Sequence, residues 1–366
     1  SRGSMKFFFL NSHAHRALDP EETRVSGGSE LQIALLSKEL AKRGHEVVLA
    51  GGDSGQADRR VFDGVLTRTA GRFHTGGLSD TAAALPRVVG LVREHRPDFV
   101  VIIGWTAWLD AMARFRPLLG YRLVYICSLD PEIDGSFGRT HGWRGRLFER
   151  GVRAADRRFA MSEHQSELFR KAGLSHGLYR NLIQPRRRPR AVEKDIDLLW
   201  VARCQPIKRP HLFLDLAERL PAARCEMICP GEDAALWEAV AARASTLPNV
   251  NFLESVPYTA IQDRYDTAKF LVSTSEAEGF PNNMIQAAQG EAAILSLELD
   301  PDGLIGKFGA GFCAHGDFAA LVERARSLLA DPGATAAAGQ GAARMVREWL
   351  DNGVNTDRFL RGLTAS

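Results

Sequence analysis

The chain has 366 residues, of which 45% are hydrophobic, and this length predicts two domains of ordinary size rather than one core. Its 47 basic and 44 acidic side chains leave a net charge of only +3, which argues against a nucleic-acid-binding protein. No stretch without charges is long enough to span a membrane. Five scattered cysteines lack metal-ligand spacing and are typical of free buried thiols, so we expect a cytoplasmic protein.

The first fifty residues predict a strand, a helix and a second strand. Apolar residues 7–10 form the first strand, Gly27 and Gly28 open the helix, and residues 45–52 form the second strand. Loops at the carboxyl ends of parallel strands bind ligands, so the two glycines are candidate contacts to a phosphate or a sugar. A tight start of the helix explains them equally well.

Three more apolar runs in the first half predict further parallel strands. They cover residues 98–103, 122–127 and 158–161, and helical segments separate them. Residues 128–141 follow the second run as a polar, glycine-containing loop. This loop is rich in functional groups, and we interpret it as the side that receives an acceptor.

A basic segment at residues 144–158 has two interpretations. Six arginines alternate there with aromatic and aliphatic residues, a pattern suited to peripheral contact with anionic lipid or to an anionic acceptor. The other interpretation is an ordinary domain helix with a solvated basic face. We favour the helix, since Glu149 and Asp156 dilute the charge.

The linker between the predicted domains is residues 183–196, where two prolines flank a run of arginines. Asp195 and Asp197 near its end have the Asp-x-Asp spacing of certain metal sites. Because they precede a strand instead of following one, we expect no metal ligand here.

Two cations follow the first strand of the second half. This strand covers residues 197–202, and Arg203 and Lys208 come directly after it, ahead of a helix from about His211. Both side chains are therefore predicted at the carboxyl edge of a sheet, where ligands bind.

A second candidate site segment lies later in the chain. Residues 270–274 predict a buried strand, Glu276 and Glu278 follow it, and residues 282–289 predict a helix with Pro281 in its first turn. The backbone amides that open a helix attract an anion.

The run Glu278-Gly-Phe-Pro-Asn282 resembles, residue by residue, a common variant of the Glu-x7-Glu signature of the fourth glycosyltransferase family, the glycosyl transferases group 1. That family contains retaining enzymes of the GT-B fold. The second Glu of its signature is Gln286 here. An amide accepts and donates where a carboxylate only accepts, so this difference leaves the nucleotide preference open.

The resemblance implies an α/β protein of two Rossmann-like domains whose parallel sheets face each other across an interdomain cleft. We expect an acceptor-side domain at residues 5–182, the linker at 183–196 and a nucleotide-sugar-binding domain at 197–344. A C-terminal helix at residues 345–366 is expected to cross back to the first domain, as it does in the family.

The resemblance also implies the roles of the site residues. Glu278 faces the donor sugar, while Arg203 and Lys208 contact the donor diphosphate, and these three are the predicted catalytic residues. No metal and no cofactor beyond the donor substrate are expected. The predicted donor-binding residues are Gly27, Gly28, Arg203, Lys208, Val256, Tyr258, Glu278, Gly279, Phe280, Pro281, Asn282, Asn283 and Gln286.

We therefore expect a retaining, metal-independent transfer of a sugar from a nucleoside-diphosphate sugar to a hydroxyl of a saccharide, a lipid-linked glycan or a small molecule. Peripheral contact with the inner face of the membrane, through residues 144–158, stays open. One alternative is a nucleotide-sugar epimerase or hydrolase, for which only Asp130, Glu132 and His141 offer acid–base partners to Glu278. The other is a binding protein that has lost catalysis through Gln286.

Overall fold

The computed structural model describes residues 3–22, 27–71, 78–185, 192–257 and 260–364. Contacts between Cα atoms divide these residues into two compact units. The first unit contains the described residues up to Leu182 and those from Asn352 onward, and the second contains Ile183–Asp351. The sequence predicted boundaries of the domains and linker after residues 182, 196 and 344. In the structure the chain passes from one unit to the other after residues 182 and 351.

The first unit is built on a sheet whose strands run in the spatial order β3-β4-β2-β1-β5-β6-β7-β8. Neighbouring strands are parallel except β3 and β4, which are antiparallel. The predicted strand–helix–strand start and the three later parallel strands are confirmed. The strands are β1 (Lys6–Leu10), β2 (Glu46–Gly51), β3 (Arg60–Phe62), β4 (Val65–Thr69), β5 (Phe99–Ile103), β6 (Arg122–Ile126), β7 (Arg157–Ala160) and β8 (Gly177–Leu178).

Helices cover this sheet because its central strands are apolar on both faces. All five residues of β5 are buried, as are four of the five residues of β1, which is the pattern of a parallel sheet covered on both sides. The helices before the second unit are α1 (Gly28–Lys42), α2 (Leu78–His95), α3 (Trp108–Leu119), α4 (Phe137–Thr140), α5 (Gly142–Ala154) and α6 (Glu163–Lys171).

The second unit has a parallel sheet in the order β11-β10-β9-β12-β13-β14. Chain order reverses between β9 and β12, which is the doubly wound arrangement whose carboxyl edge binds ligands at the point of reversal. The strands are β9 (Ile196–Val201), β10 (Cys225–Ile228), β11 (Val250–Leu253), β12 (Ala268–Ser273), β13 (Ala293–Ser296) and β14 (Gly311–Cys313).

Helices of the second unit follow its strands in alternation. Their apolar sides bury a core with Leu198, Trp200, Phe213 and Phe270 at its centre. The helices are α7 (Pro210–Arg219), α8 (Ala234–Ala244), α9 (Ile261–Thr267), α10 (Asn282–Gln289), α11 (Leu304–Phe308), α12 (Phe318–Leu329) and α13 (Pro332–Trp349).

The prediction of one C-terminal helix over residues 345–366 is wrong. Helix α13 extends back to Pro332, Leu350 leaves helical geometry with φ −117° and ψ 56°, and α14 (Asn352–Thr364) then begins. The polar run Asp351-Asn-Gly353 favours such a break because Asp and Asn compete with the helix backbone for hydrogen bonds. Helix α14 belongs to the first unit.

The cysteines, the helix lengths and the segment at residues 128–141 each relate to an expectation from the sequence. All five cysteines are free, and all but Cys313 are buried. No described helix is both long and apolar enough to cross a membrane. The predicted loop at residues 128–141 contains a 3-10 turn at Asp130–Glu132 and the short helix α4, so it is more ordered than its polar sequence predicted.

Candidate active site

The candidate active site lies at the carboxyl ends of β9 and β12, at the chain reversal of the second sheet. After β9 the chain passes Arg203 and makes a 3-10 turn at Pro206–Lys208. After β12 it passes Glu278 and enters α10. Since the two strands are parallel neighbours, the two segments emerge side by side.

Lys208 and Glu278 form an ion pair in which Nζ donates to Oε1. Each side chain is only 16% exposed. A charge-assisted hydrogen bond that is shielded from water is stronger than an exposed pair. The structure therefore brings together a cation and a carboxylate that the sequence placed 70 positions apart.

Backbone contacts hold the Lys208 turn against the segment that follows β12. The amide of Glu276 donates to the carbonyl of Ile207 at 2.9 Å. The hydroxyl of Thr274 donates to the carbonyl of Lys208 at 2.6 Å and accepts from Trp200 Nε1 at 3.0 Å. The ion pair thus rests on a fixed backbone.

Arg203 lies nearer to β10 and has a different partner. Its Nη1 is 3.6 Å from Oε2 of Glu232, and its side chain is 41% exposed. The side-chain Nε2 of Gln205 donates to Oε1 of Glu232 at 2.7 Å. Arg203 is therefore a solvent-accessible cation at the same edge of the sheet.

Helix α10 begins at Asn282, as predicted, but Pro281 is its N-cap residue and not part of its first turn. A proline has no side chain that accepts from the first amides, and the N-cap makes no such bond here. Asn283 ties the helix start to β9, since its Nδ2 donates to the carbonyl of Val201 at 3.0 Å. Gly279 and Phe280 are buried beneath this start. The dipole and amides of α10 therefore favour an anion at this point.

Gln286 lies one turn into α10 and is partly buried. Its backbone carbonyl accepts from Gln262 Nε2 at 2.9 Å, which fixes the turn. Val256 is buried after β11. Tyr258, which the resemblance also assigned to donor binding, lies outside the described residues.

Gly27 and Gly28 belong to the first unit, where they open α1. Gly27 is the N-cap, with φ −80° and ψ 172°, and the exposed Gly28 is the first helical residue. Their predicted ligand contact stays a prediction.

Asp197 lies near the amino end of β9, away from the site edge. It accepts from Lys269 Nζ at 2.7 Å and from the amide of Arg224 at 2.8 Å. Burial by itself would raise the pKa of Asp197, but these bonds outweigh it and hold that pKa below its usual value. Among the residues that the structure describes, no group of His, Cys, Asp and Glu has the arrangement of a metal site.

Sequence reasoning missed that Glu132, in the polar segment after β6, is buried. Its carboxylate accepts from the Tyr125 hydroxyl and, at 2.5 Å and 3.0 Å, from the hydroxyl and amide of Ser128. Burial raises the pKa of the Glu132 carboxyl although these donors favour its ionised form. Glu132 thus anchors its own loop, which weakens its use as an acid–base group in an epimerase.

The basic segment up to Ala154 lies in the predicted domain helix, α5, while Arg157 and Arg158 begin β7. Several of its arginines are used within the first unit. Arg150 donates to Asp110 at 2.9 Å and 3.0 Å. Arg158 is buried and donates to the carbonyl of Ala155 at 2.6 Å. Trp143 is 59% exposed. Contact of this helix with a membrane stays a hypothesis.

Two family models match the chain in succession. The model described as Glycosyltransferase Family 4 matches residues 26–180. The model described as Glycosyl transferases group 1 matches residues 184–345, so that only residues 181–183 separate the two matches. The chain is a group 1 glycosyltransferase. This confirms the family that residues 278–282 indicated.

Solved structures show the fold of this glycosyltransferase, although their sequences are distant. Sucrose-phosphate synthase from Thermosynechococcus elongatus is 15% identical with a TM-score of 0.80 over 98% of this chain and 99% of that one. HepE of Anabaena in complex with UDP-glucose is 15% identical with a TM-score of 0.72 over 98% and 99%. An α,α-trehalose-phosphate synthase (UDP-forming) from Burkholderia vietnamiensis is 13% identical with a TM-score of 0.71 over the full length of both chains. Comparison with curated proteins gave no match. The predicted GT-B class of two parallel-sheet domains is confirmed.

Proposed function

We propose that this glycosyltransferase moves a sugar from a nucleoside-diphosphate sugar to an acceptor hydroxyl, with retention of the anomeric configuration and without a metal ion. The observation that carries the proposal is the shielded Lys208–Glu278 pair at the reversal point of the second sheet. In this pair a cation and a carboxylate lie side by side, next to the start of α10, and we assign the carboxylate to the donor sugar.

The positive groups fit a departing diphosphate. Negative charge grows on the diphosphate as the bond to the sugar breaks, and preorganised donors that meet this charge lower the barrier. Lys208, the accessible Arg203 and the amides that open α10 supply such donors at one edge of the sheet. This field makes a metal ion unnecessary in the proposed mechanism.

We assign Glu278 to a sugar hydroxyl and not to attack on the anomeric carbon, as the resemblance implies, and its pairing with Lys208 supports a positioning role. In the proposed step the acceptor hydroxyl approaches on the face that the diphosphate leaves. The acceptor oxygen bonds to the anomeric carbon, the bond from that carbon to the phosphate oxygen breaks, and the acceptor proton passes to that phosphate oxygen. The product keeps the donor configuration without a protein nucleophile.

UDP is the nucleotide that we propose first. HepE has been solved with UDP and with UDP-glucose, and the trehalose-phosphate synthase is described as UDP-forming. A saccharide acceptor is proposed on the same ground, since TarM has been solved with glycan ligands and UDP. The four buried free thiols support a reducing compartment, so we propose a cytoplasmic enzyme.

The test begins with a thermal-shift screen of UDP, GDP, ADP and their sugars, because a ligand that binds only the folded state raises the melting temperature. The stabilising donor is then incubated with a panel of saccharides, and NMR coupling constants assign the product anomer. A product of inverted configuration contradicts retention. An epimerised sugar without acceptor favours the epimerase, and an intact bound donor under all conditions favours the binding protein.

A further inference from the structure

Arg209, next to Lys208, has an unusual backbone conformation. Its φ of 48° and ψ of 55° lie in the left-handed region, which glycine adopts freely and which costs free energy for any residue with a Cβ atom. Such strain persists where the surroundings compensate for it, and it is often found at functional sites. In Arg209, hydrogen bonds of the side chain are the contacts that can compensate for this strain.

The guanidinium of Arg209 joins the ends of three neighbouring strands. Arg209 itself follows β9, and its Nε donates to the carbonyl of Thr274, after β12, at 2.7 Å. Its Nη1 donates to Oε1 of Glu298, after β13, at 3.0 Å. Since β9, β12 and β13 are adjacent in the sheet, one side chain fixes their carboxyl ends relative to each other.

These bonds share Thr274 with the turn that carries Lys208. Thr274 bonds to both Lys208 and Arg209, through its hydroxyl and its carbonyl. Arg209 is also the N-cap of α7 but makes no side-chain capping bond there. The guanidinium is therefore directed at the site segments and away from its own helix.

We propose that Arg209 is a positioning residue of the donor site, which holds the turn that carries Lys208 against the segment that carries Glu278. The inference rests on the proposed function, because it assigns this alignment to sugar transfer. The planar fork of an arginine suits the task, since it donates in two fixed directions at once, whereas a lysine donates from one point. At this position the arginine side chain reaches both acceptors, and these bonds can offset the cost of the strained backbone.

The test compares two substitutions at this position with one elsewhere. Arg209→Gly removes the guanidinium, and glycine adopts this backbone conformation without strain. Any loss of activity in this variant therefore reports the missing side-chain bonds and not a strained backbone. Arg209→Lys keeps the charge but supplies a single donor group. Arg96→Gly is the matched control, since Arg96 is an exposed arginine of the first unit with φ 46°, directly after α2.

The first readout is kinetic, with UDP-glucose as donor and UDP release as signal. We expect Arg209→Gly to lower kcat by about 10- to 100-fold, the scale of a small misplacement of catalytic groups. KM for the donor should change by only a few fold, Arg209→Lys should give an intermediate kcat, and Arg96→Gly should match the wild type. A purely structural role would lower the melting temperature and leave kcat unchanged, and that result overturns the proposal.

The second readout needs no ligand and separates this proposal from the proposed function. Hydrogen exchange of the Glu276 amide, which donates to the Ile207 carbonyl, reports how firmly the two segments are joined. We expect exchange at least tenfold faster in Arg209→Gly and unchanged in Arg96→Gly. Unchanged exchange in Arg209→Gly overturns the positioning role even if the enzyme transfers sugars. A wild type that releases no nucleoside diphosphate from any UDP-, GDP- or ADP-sugar refutes the proposed function, and the exchange result still decides whether Arg209 joins the segments.

Discussion

Replacement of Lys208 by alanine should lower both turnover and stability, and a double variant then separates the two effects of the shielded ion pair. The change removes the cation that faces the predicted diphosphate and also leaves Glu278 without its partner. We expect turnover to fall by roughly 10²- to 10³-fold, which corresponds to about 2.7–4 kcal/mol for a lost donor to transition-state charge.

The stability loss follows from the burial of the pair. Both side chains are 16% exposed, so the carboxylate loses a charged hydrogen bond that water replaces poorly. Such bonds contribute about 1.5–3 kcal/mol, and we expect the free energy of unfolding to drop by about 2 kcal/mol. In a unit of this size the melting temperature should then fall by about 4–8 °C.

The double variant Lys208→Ala/Glu278→Gln is the decisive comparison. It removes both charges, so we expect most of the lost stability to return while turnover stays as low as in Lys208→Ala. Chemical denaturation and UDP release measure the two quantities. Arg326→Ala is the control, because its pair with Glu323 on α12 is exposed and should contribute under about 1 kcal/mol. Normal turnover in Lys208→Ala, or a double variant no more stable than the single one, would refute this reasoning.

Three further outcomes are expected. Arg203→Ala should lower turnover by about 10²-fold with unchanged melting, since its contact with Glu232 is exposed; a normal rate would remove its diphosphate role. Activity should persist in excess EDTA because Lys208, Arg203 and the α10 amides provide the positive field, and full loss restored by magnesium or manganese would contradict this. Gln286→Glu should change UDP affinity by about 1 kcal/mol, as for one altered polar contact; equal dissociation constants for several nucleotides would show that Gln286 does not touch the ribose.

The sequence predicted the sheets well where strands are short, mostly apolar and almost fully buried. Strands β5, β9 and β12 are such runs, and their flanking loops marked their ends. Strand β3 was missed because none of its three residues is buried. Strand β4 was missed because Arg68 interrupts its apolar pattern, and only the structure shows this arginine to be buried and paired with Asp58 and Glu94.

The part of the candidate site that short sequence motifs carry could be predicted from the sequence. Arg203, Lys208 and Glu278 were predicted because they lie in loops that follow strands and because residues 278–282 resemble a family signature, and their roles stay a prediction. The bonds of Arg209 were not predictable, since its acceptors Thr274 and Glu298 are 65 and 89 positions away. The burial of Glu132 was missed for a related reason. A polar segment is expected to be exposed to solvent, and only the packing around it shows which of its side chains are buried.

The membership of α14 in the first unit has a consequence for biosynthesis. In α14, Phe359 packs its ring against Phe159 at 4.9 Å and against Tyr179 at 6.0 Å. A ribosome must produce Ile183–Asp351 between these partners, which takes on the order of ten seconds at ordinary elongation rates. The described residues of the second unit form one continuous stretch of chain, whereas in the first unit the apolar surface around Phe159 stays uncovered until α14 appears. In the nascent chain, therefore, the unit made later is the first able to finish folding.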